Sequence, residues 1–89
     1  MVENVYRLQI MNASESPRVF HVRAAGLPTL QVAGESFFAV EGAGTRMVPV
    51  KLRIGAGEAR PGSHRIEFDV GAVEDPGVAV RERSVFLVR

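Results

Sequence analysis

The sequence predicts an all-β domain, a sandwich of about seven short strands. Three observations carry that prediction. Apolar residues recur at every second position almost throughout, the period of strands with one dry and one wet face. Turn-forming clusters rich in Gly, Pro, Asn, Asp and Ser break the chain about every 8 to 12 residues. No window of a dozen residues keeps a 3.6-residue period, and nine glycines would interrupt any long helix. A small barrel is the alternative, but the inward residues are large enough to fill the layer about 10 Å thick between two sheets.

The elements follow in order. In "NVYRLQIMN", Tyr6, Leu8 and Ile10 share one phase and Arg7 and Gln9 the other, with an Asn at each end. "ESPRVFHVRAAG" puts Phe20, Val22 and Ala24 inward and Val19, His21 and Arg23 outward. "LPTLQVAG" and "ESFFAVEG" give two short runs, with Phe38 and Val40 in phase in the second. "TRMVPVKLRIG" alternates most cleanly, with Val48, Val50, Leu52 and Ile54 on one side. Pro49 requires that one edge of this strand lack a partner at that point, because proline cannot donate to a ladder. "SHRIEFDVGA" places Ile66, Phe68 and Val70 inward. In the closing "VAVRERSVFLVR", Ser84, Phe86 and Val88 share a phase, while the phase of Val78 and Val80 leads to Glu82. A carboxylate at an inward position predicts a bulge near Arg81 to Arg83.

If the "NASESPR" loop closes a hairpin between the first two strands, Ile10 faces Phe20, Leu8 faces Val22 and Tyr6 faces Ala24. Their outward partners are then Met11 with Val19, Gln9 with His21 and Arg7 with Arg23. This outer side of the first hairpin, Arg7, Gln9, Met11, Val19, His21 and Arg23, is the candidate partner-binding face. It mixes arginine, methionine and an exposed valine, types enriched where proteins meet.

Composition narrows the function. The chain has 89 residues, 46% of them hydrophobic and 24% charged, so it is one globular domain. Its formal net charge is +1, without the basic stripe of a nucleic-acid binder. Cysteine is absent, which removes disulfides, thiolate metal sites, iron–sulfur ligation and a cysteine nucleophile. No apolar run approaches the roughly 18 residues of a membrane span, and no signal peptide opens the chain.

No catalytic set emerges. Glu67 and Asp69 share a strand face with Arg65, which reads as a solvated ladder of charges rather than a hydrolase pair. The serines lack a nucleophile elbow. "GAGEARPG" and "EGAGTR" lack the strand–loop–helix setting of a phosphate cradle and read as β-turns. Asn12 opens an N-x-S glycosylation triplet, which a turn explains better. His21, His64, Met11 and Met47 are the metal candidates. In the hairpin register Met11 and His21 are diagonal neighbours roughly 7–8 Å apart, a thioether and an imidazole suited to copper. Two ligands do not make a tight site, so no metal is assigned and Met11 and His21 stand as candidates only.

The blocks "NVYRLQIMN", "AAGLPTLQV", "VPVKLRI", "PGSHRIEFDV" and "ERSVFLVR" resemble, in order and spacing, the C-terminal domain of the FixG family, membrane-bound accessory proteins for assembling cbb-type cytochrome c oxidases. The resemblance spans nearly the whole chain; it departs where the family often places a proline before its closing arginine and this chain has Val88. It implies an immunoglobulin-like β-sandwich over residues 1–89, the C-terminal fragment of a larger membrane protein, on the periplasmic face of the bacterial inner membrane. It further implies that iron–sulfur clusters belong only to an upstream portion, with no cofactor in this domain. The implied role is non-catalytic: an interaction module that docks on an oxidase subunit, a copper carrier or its own membrane portion, in respiration linked to nitrogen fixation and copper handling. A weak copper-binding domain using Met and His side chains is the alternative, and a spacer without a specific partner is the third.

Overall fold

A computed structural model describes residues 1–89. Seven strands form where the alternation predicts them: β1 (Val2–Met11), β2 (Arg18–Ala25), β3 (Gln31–Ala33), β4 (Phe37–Val40), β5 (Thr45–Ile54), β6 (Gly62–Ala72) and β7 (Ala79–Val88). There is no helix, and hence none long and apolar enough to cross a membrane. The strands make two antiparallel sheets, one ordered β1-β5-β3 and the other β4-β2-β6-β7.

The inward phases of both sheets meet in one core. Ile10, Phe20, Val22, Phe38, Val40, the alternate residues Val48 to Ile54, Ile66, Phe68, Phe86 and Val88 are buried together. Tyr6, Leu8 and Val70, also in the predicted core, lie half-buried at its margin. Pro49 sits on the central strand of its sheet, yet β3 pairs only with Lys51 to Arg53, so the edge of β5 opposite β1 is free at the proline.

Two expectations fail. β1 does not form a hairpin with β2: its Val2–Met11 ladder pairs with Ile54–Thr45 of β5, while β2 pairs with β4 and β6 in the opposite sheet. The loop between them is a crossover, and Asn12 fixes it. The Asn12 side chain is only 3% exposed. Its Nδ2 donates to the carbonyls of Ser16, Val40 and Glu41, and its Oδ1 accepts from the amide and hydroxyl of Ser14. Its own N–H donates to the Gly44 carbonyl, and the Ala43 N–H to that of Ser14. These bonds stitch the crossover to the β4–β5 loop at the end of the sandwich. A Cβ at Gly42 would collide with the Glu15 carbonyl, so the two loops touch backbone to backbone. The same burial leaves no free amide on Asn12 for a glycan.

The bulge in β7 is also absent. Its register with β6 runs unbroken from Gly62↔Val88 to Gly71↔Ala79. Glu82 therefore does occupy an inward position, and the reason it can do so lies in the seam described next.

Candidate functional site

The crossover divides the predicted binding face between two sheets. Arg7, Gln9 and Met11 lie on the outer side of the β1-β5-β3 sheet, opposite Pro49, Met47 and Thr45. Val19, His21 and Arg23 lie on the outer side of the other sheet, opposite Gly71 and Asp69 of β6 and Ala39 and Phe37 of β4. The six residues do not form one surface. The Met11–His21 adjacency disappears with the hairpin, because a sandwich turns its two outer faces in opposite directions.

Each half has its own surroundings. Met11 is 71% exposed, and its diagonal neighbour on the same face is Met47. His21 stacks on Phe37, with ring centroids 4.1 Å apart and planes 3° from parallel. Arg23 Nε donates to His21 Nδ1 at 3.1 Å. Opposite His21 stands Gly71, and opposite Arg23 stands Asp69. Glu67 lies 3.8 Å from Arg81. The half-buried carboxylates of β6 thus stand opposite arginines of the neighbouring strands, Asp69 between Arg23 and Arg81 and Glu67 beside Arg83. His64 Nε2 donates to the Arg60 carbonyl near the β5–β6 turn. Nowhere do three or more His, Asp or Glu side chains gather as a metal cage.

A second feature was not read from the sequence: the seam where β1 and β7, the edge strands of their respective sheets, approach each other. At one end the seam is closed by side chains. Asn4 Nδ2 donates to the Leu87 carbonyl at 3.0 Å, and Asn4 Oδ1 accepts the Leu87 N–H at 3.1 Å. One amide side chain thereby makes both bonds that a neighbouring strand would make. Tyr6 Oη donates to the Val85 carbonyl at 2.7 Å, while its ring meets Phe68 edge-on at 5.0 Å. Burial of the phenol raises the Tyr6 pKa above its ordinary value, because ionisation would leave a charge poorly solvated.

Beyond Tyr6 the edges diverge. The opening is a groove of about 440 Å³ lined by Leu8, Ile10, Phe20, Val70, Val80 and Glu82, together with the edge of β1 from Arg7 to Met11. Consecutive β1 residues of both phases line it, as only a strand edge can. The clue in the sequence was Glu82, an inward carboxylate that suggested a bulge and in fact marks where β7 leaves the cover of the facing sheet.

Comparison with known proteins decides the family. The profile of the family described as "IG-like fold at C-terminal of FixG" matches residues 1–89. The chain belongs to the FixG C-terminal family. The same description attaches a provisional oxidoreductase label to FixG as a whole. Among solved structures, a FixG-related protein from Vibrio parahaemolyticus is similar, with a TM-score of 0.85 and 19% identity over 99% of this chain and 80% of that one. At that identity the likeness concerns the fold alone. No curated protein sequence matches. The FixG C-terminal domain is therefore an immunoglobulin-like sandwich of seven strands, with a closed and an open end to its β1/β7 seam.

Proposed function

We propose that this domain is a non-catalytic interaction module of a membrane-bound FixG-type protein, facing the periplasm and serving assembly of a cbb-type cytochrome c oxidase. Its partner is an oxidase subunit, a copper carrier or the membrane portion of its own protein. Iron–sulfur chemistry belongs to other parts of that protein, and this domain needs no cofactor to fold. The observation that carries the reading is the family match over the whole of residues 1–89. The apolar groove at the open end of the seam supports it, because an uncovered strand edge beside apolar side chains is a surface suited to holding another chain. The copper reading loses the Met11–His21 pair on which it was built.

The test is deletion of residues 1–89 from the membrane-bound protein. Iron–sulfur content and membrane insertion are expected to persist while assembled oxidase falls. Normal oxidase assembly with the domain deleted would sink the proposal and leave the spacer reading.

A further inference from the structure

The open end of the seam has the form of a place for one more strand. β1 is an edge strand ten residues long, and no backbone hydrogen bond satisfies its outer edge between Arg7 and Met11. In an antiparallel sheet, alternate N–H and C=O groups point to that side. Edges of this length are ordinarily blunted by proline, lysine, a bulge or a cover. Arg7–Met11 has no proline, lysine, bulge or cover, and the only charge along it is that of Arg7 at one end. Across the groove, Val80 and Glu82 hold the same phase on β7 as the buried Phe86 and Val88, yet both are exposed. No strand of the β1-β5-β3 sheet reaches over them. A further strand paired to β1 would lie over both.

Charge specifies the occupant further. Glu82 stands in the groove without an ion pair: the three salt bridges of the domain join Arg18 to Asp75, Arg53 to Glu3 and Arg81 to Glu67. Arg7 also lines the groove but makes no salt bridge to Glu82, so an unpaired carboxylate beside Leu8, Ile10, Phe20, Val70 and Val80 complements a cation arriving with apolar neighbours.

We infer that the outer edge of β1 at Arg7–Met11 takes up an extended segment of a partner protein as a fourth strand of its sheet, with alternate apolar side chains filling the groove and a lysine or arginine reaching Glu82. About five residues, roughly 17 Å of strand, span this length. The inference rests on the reading of the domain as an interaction module and names where, and with what chemistry, it holds its partner.

The probe is the capped pentapeptide valine-threonine-valine-threonine-lysine, with its reversed sequence as the second strand direction, titrated into the isotopically labelled domain. Saturable amide shifts confined to residues 7–11 and 78–82 are expected. Glu82→Lys should weaken binding at least tenfold, and a peptide with glutamate in place of lysine should restore it. Because Glu82 is exposed, the substitution leaves the fold intact. Absence of shifts at residues 7–11 at millimolar peptide, or binding indifferent to Glu82→Lys, overturns the inference. So does a concentration-dependent dimer in sedimentation that Glu82→Lys abolishes, which would give the groove to a second copy of the chain. The deletion experiment above reads the interaction role separately: lost oxidase assembly together with an empty groove would retain the module and reject this site.

Discussion

The two ends of the β1/β7 seam are built from the same two strands and have opposite fates. At the closed end Phe86 is 0% exposed, beneath an edge sealed by Asn4 and Tyr6. At the open end Val80, in the same phase of the same strand, is 60% exposed. Side-chain period therefore sets which way a residue points, and only the facing sheet decides whether that direction is dry. The closed end is scaffold and the open end is surface. A binding groove arises here from the absence of cover over an ordinary strand rather than from an extra element.

The largest test of the contrast is Phe86→Ala. It removes a fully buried ring and leaves a cavity, with an expected loss of about 3–5 kcal/mol. That is a large share of the roughly 5–13 kcal/mol expected for a domain of this length. Denaturant unfolding measures it, and a loss below about 1 kcal/mol would show that the closed end is not closed. Next comes Asn12→Ala. It unpairs the carbonyls of Ser16, Val40 and Glu41 in a part-buried loop junction, and about 2–3 kcal/mol should be lost. Asn12→Asp should not rescue it, because a carboxylate cannot donate to those carbonyls. Equal stability of the aspartate variant and the parent would remove the stitching role.

All seven strands were legible in the sequence, as was the inward phase of every one but the three-residue β3, because burial of one face leaves a period of two. Pairing was not. Tyr6, Leu8 and Ile10 present the same alternation to β2 in a hairpin as they do to the core beside β5, and a six-residue loop permits either course. The choice is made by Asn12, whose amide bonds to a loop some 28 residues away in sequence. A short Asn-rich turn and a buried Asn crossover read alike until that partner is known. The candidate binding face inherited the error: Arg7 and Arg23 are each exposed as expected, but on opposite faces. Glu82 failed differently. Its inward position was visible, and the bulge inferred from it assumed that inward means covered.

Tyr6→Phe probes the boundary between the two ends, where the last side-chain bond closes the seam. The substitution keeps the ring against Phe68 and deletes only the bond to the Val85 carbonyl, so about 0.5–1.5 kcal/mol should be lost near neutrality. The pH dependence is more specific. The folded phenol has its pKa raised above 10.0 by burial, so folding favours the protonated form. The associated stability is complete below the unfolded phenol pKa of about 10 and is lost as pH rises through the folded value. The parent should therefore lose more stability than Tyr6→Phe over that alkaline range. Parallel curves would show that Tyr6 is as well solvated folded as unfolded.

The smallest effect is the sharpest test of the contrast. Val80→Ala deletes two methyl groups from a residue in the phase of Phe86, and period alone would count it as core. The structure leaves that side chain facing the groove with no strand above it, so little apolar area returns to water when it is truncated. Stability should change by no more than about 0.5 kcal/mol, as for other surface substitutions. Binding should respond instead: Val80 contributes part of the floor on which an added strand would lie, so the same variant should weaken capture of the lysine pentapeptide. A stability loss above about 1 kcal/mol in the isolated domain would mean that Val80 is already covered, by a closing of the seam in solution or by self-association. Dilution separates those two, because only self-association makes the loss depend on protein concentration.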